Sequence, residues 1–242
     1  MSDFIQKDSS PYRNLQIVVG LGILTLLIWH IVPYGRFFLY PFVILSTWFH
    51  EMGHGLTALI LGGTFHKLEI FSTGSGVAYW SGELFAGNLG RAFVAAAGPI
   101  APTIFGGIFL YYSRYNNRTR LIMLLFSILL CASAVIWVRS WFGLGAIVLF
   151  AILFFLVAVF GKERLNQFCL QFVAIQAFMS LYLSLDYIFT GIGQTDAGIF
   201  YSDTYHISES LFLPYWFWGG VICIFSLAIM FFSFRLLIRP RK

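Results

Sequence analysis

Long apolar runs separated by short polar stretches dominate the chain. A helix that crosses a bilayer needs about 20 mostly apolar residues. By that measure seven segments qualify, at roughly 15–32, 38–61, 92–112, 121–138, 142–160, 168–189 and 211–238. The fourth and fifth are separated only by Arg139-Ser140-Trp141, which predicts either a tight helical hairpin or one broken helix, so six or eight spans also satisfy the pattern. The period changes over 66–87. There Leu68-Glu69-Ile70-Phe71 and Val77-Ala78-Tyr79-Trp80 alternate in part around Thr73-Gly74-Ser75-Gly76, which predicts a β-hairpin with a glycine-containing turn. At membrane depth such a hairpin must be covered by protein or line a wet cavity, because lipid cannot satisfy its backbone. The third span carries Ala95-Ala96-Ala97-Gly98-Pro99, small residues that predict close helix packing.

The expected fold class is therefore all-α and polytopic, with about seven transmembrane helices and a short membrane-associated β-hairpin after the second. One domain is expected over 1–242, with the first span accessory to a core at about 38–220. Composition agrees with this reading. Of the 242 residues 59% are hydrophobic and 10% charged, whereas soluble domains carry about 25% charged residues. The polar stretch 1–13 runs straight into a full-length span, which is not the layout of a cleaved signal peptide. The net charge of +5 is modest, and the basic residues sit in loops, as topology signals and not as a nucleic-acid surface. With seven spans, Arg36, Arg114, Arg118, Arg120, Lys162, Arg164, Arg235, Arg239, Arg241 and Lys242 share the C-terminal side. Lys7, Arg13, Lys67, Arg91 and Arg139 fall on the other. This imbalance predicts a cytoplasmic C-terminus. Cys131, Cys169 and Cys223 lie in apolar segments without metal-type spacing.

The second span contains His50-Glu51-Met52-Gly53-His54. Ionisable groups inside a span are costly and by default functional. Residues four apart share one face of a helix, so His50 and His54 can offer two imidazole nitrogens to one metal. This His-Glu-x-x-His spacing is that of zinc hydrolases. Glu51 is turned about 100° from His50 and is placed as a general base, taking a proton from a water that Zn2+ acidifies and passing it to the leaving amine.

A catalytic zinc keeps three protein ligands and an open position, and the chain has only ten Asp and Glu residues. Asp3, Asp8, Glu163, Asp203 and Glu209 read as loop or end positions, while Glu69 and Glu83 belong to the hairpin region. Asp186 is the one carboxylate besides Glu51 inside an expected span and is the first choice for third ligand. Asp196, in Thr195-Asp196-Ala197, is the alternative; it also reads as a helix cap. His30 beside Trp29 reads as interfacial and His66 and His206 as loop histidines.

Phe49-His50-Glu51-Met52-Gly53-His54-Gly55, the glycine-rich hairpin and Ala97-Gly98-Pro99 together resemble the site-2 protease family of membrane zinc metallopeptidases. The compact B-like branch is the nearer likeness, through Thr195-Asp196-Ala197 and Trp216-Phe217-Trp218. The likeness covers about 38–220. It implies an intramembrane protease in which His50, His54 and an aspartate from a later span hold zinc and Glu51 is the base. It also implies a hairpin that offers an edge strand to an unwound substrate. The family typically shows Leu-Asp-Gly where this chain has Leu185-Asp186-Tyr187, so Asp186 and Asp196 compete for the third place. The expected function is zinc-dependent cleavage of a membrane protein or peptide in or near its transmembrane segment, with the lipid bilayer as the other partner. The alternatives are a non-catalytic metal-binding protein or transporter, and a protease of lipid-modified peptides.

Overall fold

A computed structural model describes residues 11–195 and 198–239. The apolar runs fold as long helices: α1 (Pro11–His30), α2 (Gly35–Ile60), α3 (Asn88–Tyr112), α4 (Asn116–Ile136), α5 (Trp141–Phe160), α6 (Glu163–Leu183) and α9 (Tyr215–Ile238). Between α2 and α3 lies the expected hairpin, β1 (Thr64–Ile70) with β2 (Gly76–Ser81). A short helix α7 (Leu185–Ile188), a second hairpin of β3 (Ile192–Thr195) and β4 (Gly198–Tyr201), and α8 (Asp203–Ser210) join α6 to α9.

Each of the seven expected spans coincides with one long helix, but only five of those helices are long and apolar enough to cross a membrane: α1, α3, α4, α5 and α9. The count of seven spans is thus not reproduced by apolarity. α2 falls short because it carries Arg36, His50, Glu51 and His54, and α6 because it carries Glu163, Arg164, Asn166, Gln167, Gln171 and Gln176. The amide side chains of α6 face protein. Gln167 Nε2 donates to the Ser113 carbonyl at 2.8 Å, and Gln176 Nε2 donates to Thr25 Oγ1 at 2.9 Å. Asn166, Gln167, Gln171 and Gln176 are all buried.

The core lies between α2 and its neighbours. Trp48 and Phe49 are fully buried and pack in an aromatic group with Phe105, Phe109 and Phe126, with Phe49 stacked on Phe126 at 5.6 Å. Trp48 donates from Nε1 to Ser133 Oγ at 2.9 Å, so its one polar atom is satisfied. Against this core α2 crosses α3 closely. A Cβ on Gly53 would stand 2.5 Å from the Ala97 carbonyl oxygen, so the small residues read from the sequence do bring the two backbones together.

The expected hairpin pairs antiparallel, with Leu68 opposite Ala78 and Ile70 opposite Gly76, and a register shift between Phe65 and Lys67. Gly74 holds its turn at φ +91°, a conformation that suits glycine. The outer edge of β1 is covered. The Leu68 N–H donates to the Trp137 carbonyl at 2.8 Å and the Arg139 N–H donates to the Leu68 carbonyl at 2.9 Å. Ser140 Oγ bonds both the N–H and the carbonyl of Ile70. The short link between α4 and α5 is therefore a separate connection clamped to the hairpin, not a break in one helix. The second hairpin was not expected: where Thr195-Asp196-Ala197 read as leading into a helix, the chain enters β4.

Candidate metal centre

The i, i+4 spacing on α2 sets the His50 and His54 rings side by side, with centroids 4.8 Å apart. Asp203, the first residue of α8, reaches both: its Oδ2 is 3.0 Å from His50 Nε2 and its Oδ1 is 3.2 Å from His54 Nε2. One ligand atom from each of the three lies within 4.8 Å of the others. Ser202 caps α8, its Oγ accepting from the Tyr205 N–H at 3.2 Å. The Asp203 N–H donates to the Tyr187 hydroxyl at 3.1 Å. Helix cap and tyrosine together fix where the carboxylate points.

The structure brings Asp203, and not Asp186, the aspartate favoured from the sequence, to the histidines. Asp186 is exposed and stands outside the group of three; its carbonyl only accepts a bond from Thr190 Oγ1 within the turn. Asp196 lies outside the described residues. Asp203, read as a loop or end position, is the buried carboxylate that faces the histidines. The hint in the sequence was Ser202-Asp203 opening a short helix, but a cap signature does not mark a ligand. Tyr187, beside Asp186, is the residue of that segment that reaches the site. His66 is exposed on the hairpin against Ser81, and His30 bonds the Tyr182 hydroxyl at 3.0 Å. His206 sits on α8 and lines the same cleft as Asp203. On the hairpin, outside the long helices, Lys67 donates to Glu69 at 2.9 Å and that bond holds the Glu69 carboxyl below its usual range.

The donor set fits a metal ion on three counts. His54 Nδ1 stands 2.8 Å from the Val94 carbonyl oxygen. A carbonyl can only accept, so Nδ1 carries the hydrogen and a neutral ring then aims its Nε2 lone pair at the carboxylate. At 3.2 Å the Nε2 and Oδ1 atoms share one cation, which is either a proton on the ring or a metal ion. Asp203 Oδ2, in turn, makes no well-aligned hydrogen bond among the described residues although His50 Nε2 is 3.0 Å away, which leaves it a lone pair to offer. Finally, α3 leaves room there. A Cβ on Gly98 would lie 2.2 Å from His54 Nε2 and 2.8 Å from His50 Nε2. Gly98→Ala is therefore expected to cut metal content from one ion per chain to near zero with helix content retained. Gly145→Ala, whose Cβ meets nothing within 4 Å, is expected to leave it unchanged. Elemental analysis of the purified variants checks both.

Glu51 is buried beside these three side chains and faces the hairpin. A Cβ on Gly76 would come within 2.8 Å of Glu51 Cγ, so the strand lies directly on the carboxylate, and the Ala78 backbone N–H interacts with it. A cleft of about 1010 Å³ opens on His50, Glu51, His54 and Asp203, walled by β2, the start of α3, Tyr187, β4 and α8. A buried carboxylate, two imidazoles and a second carboxylate at the floor of one cleft can bind a cation and move a proton beside it.

A family model described as Peptidase M50B-like matches residues 17–233. Searches of curated proteins and of solved structures find no match. Together with the five apolar helices, the family match makes this an integral membrane protein.

Proposed function

The chain belongs to the peptidase M50B-like family, within the site-2 proteases, and on that premise we propose that it is a zinc-dependent intramembrane endopeptidase. Its substrate would be a membrane protein or peptide, cut in or near the transmembrane segment. The observation that carries the reading is the placement of Glu51. It follows His50 on α2, shares the cleft floor with His50, His54 and Asp203, and lies against the β2 edge where a peptide would arrive.

In this reading His50 Nε2, His54 Nε2 and the Asp203 carboxylate hold the ion, which corresponds to the three-ligand, one-open-position pattern of catalytic zinc. When bound, zinc supplies Lewis acidity, polarising a carbonyl and lowering the pKa of water to about 7. Glu51 takes the proton of the attacking water and delivers it to the leaving amine. The Val94 carbonyl keeps His54 in the tautomer whose Nε2 is free. Tyr187 holds the Asp203 backbone through its hydroxyl. Residues of β2 orient the peptide through main-chain hydrogen bonds, which an unwound helix needs in a setting without water. Counting α2 and α6 as spans gives seven, which puts the basic C-terminal loops on the cytoplasmic side.

The test is metal dependence in proteoliposomes. A zinc chelator is expected to stop cleavage of a reconstituted single-span substrate, and added zinc to restore it. Cleavage that continues after zinc has been stripped excludes the reading.

A further inference from the structure

Successive side chains of a strand point to opposite faces. A cleft that meets a strand face-on is therefore lined by every second residue, and one that meets it edge-on by consecutive residues. The cleft over the metal centre is lined by Gly76, Val77 and Ala78 in succession, and also by Phe200 and Tyr201 in succession. It meets both β2 and β4 along an edge. Ile192, Gly193 and Gln194 of β3 are not in its walls.

The ladders say which backbone groups those edges present. In an antiparallel pair, residues that exchange hydrogen bonds alternate with residues that exchange none. The Ser202 N–H donates to the Gly191 carbonyl at 3.1 Å. One step inward, Ile192 and Tyr201 oppose each other without exchanging bonds, so the N–H and carbonyl of Tyr201 point away from β3. Ile199, two residues back, does the same. On the other wall Leu68, opposite Ala78, directs its N–H and carbonyl outward to Trp137 and Arg139. Ala78 therefore directs its own away from β1, the N–H onto Glu51, which leaves its carbonyl and both backbone groups of Gly76, opposite Ile70, for a peptide. Both edges lead to the same chemistry: β2 abuts Glu51, and Tyr201 is two residues from Asp203. The base of the second hairpin is fixed by Thr204 Oγ1 donating to the Ile188 carbonyl at 2.8 Å and by Tyr187 stacked on Phe200 at 6.1 Å.

We propose that the cleft takes its substrate as a central strand, an extended peptide hydrogen-bonded to β2 on one side and to the edge of β4 at Tyr201 on the other. The proposal rests on the peptidase reading and adds the second edge to it. The physical reason is backbone satisfaction. A single edge pairs only alternate residues of an added strand and leaves the others bare. Where water is scarce, bare N–H and carbonyl groups are costly. A second edge lining the same cleft pairs the remaining set.

The experiment is an N-methyl scan of a synthetic single-span peptide with a glycine-softened centre, cut by the full zinc-loaded chain in proteoliposomes. One-edge binding tolerates N-methylation at every second residue around the cut. Two-edge binding tolerates it nowhere, with kcat/KM expected to fall roughly three- to tenfold at each position. Tyr201→Pro puts ring carbon where the outward N–H of β4 stood, which holds a paired strand off that edge and so out of reach of its carbonyls, and it spares the bonds to β3; it is expected to restore tolerance at one alternate set while zinc content stays at one per chain. Ile192→Pro, at the equivalent place on the edge outside the cleft, is expected to leave the scan as in the wild type. Ile199→Pro reads the same edge farther from Asp203, should Tyr201→Pro release zinc. Alternate tolerance in the wild-type chain overturns the second edge while leaving the peptidase reading intact, and an unchanged scan in both β4 variants overturns its assignment to β4. Failure of the zinc-loaded wild type to cut the unmethylated peptide overturns the peptidase reading itself.

Discussion

Replacing Glu51 by Gln is expected to lower cleavage of a reconstituted membrane substrate by at least about 10²–10⁴-fold, the contribution of a positioned general base, while zinc stays bound. The substitution keeps the shape of the side chain and its capacity to accept from the Ala78 N–H, but removes the group that can take a proton. Glu51 is not among the three residues whose ligand atoms converge, so metal content should not follow activity. Elemental analysis alongside a cleavage assay measures both. Cleavage by Glu51→Gln at the wild-type rate is incompatible with the base assignment and favours a non-catalytic metal-binding protein or transporter, in which Glu51 carries no proton for hydrolysis.

The second large effect concerns the third ligand. Asp203→Ala is expected to weaken zinc binding by more than about 100-fold, because even the outer partners of metal ligands account for about 10–100-fold. Asp186→Ala is expected to leave binding unchanged, since that carboxylate is exposed and away from the imidazoles. A competitive zinc titration of each purified variant separates the two. The reverse pattern, with zinc lost on Asp186→Ala and kept on Asp203→Ala, contradicts the site described above.

The contrast between these two aspartates shows what a sequence can and cannot display. His50, Glu51 and His54 were legible because their relation is local: one helical turn decides which groups face together. The hairpin after α2 was legible because its alternation and its Gly74 turn are local as well. Asp203 meets the histidines only through the packing of α8 against α3 and the bond from its backbone to Tyr187, and no spacing encodes that. Asp186 drew attention for a sound reason, a carboxylate in an apolar segment. But the helix containing it had already ended: α6 stops at Leu183, and Asp186 belongs to the separate turn α7.

The start of α6 was hidden by the opposite effect. The expected span begins at 168, whereas the helix begins at Glu163; Asn166 and Gln167, which that span leaves out, are buried, with Asn14 and the Ser113 carbonyl receiving Gln167. The second hairpin escaped notice because its strands are four residues each and lack an alternating pattern long enough to register. The role of Gly98 was half legible. Its small size predicted close packing of α3, which the structure has; that the space it leaves belongs to the histidine nitrogens needed the fold.

The most direct measurement is anomalous scattering at the zinc edge from crystals of the full chain grown with zinc. One peak per chain is expected, enclosed by His50 Nε2, His54 Nε2 and the Asp203 carboxylate and open toward the cleft. A peak at Asp186 or elsewhere, or none between the two imidazoles in a zinc-loaded crystal, would contradict the metal centre on which the proposed chemistry depends.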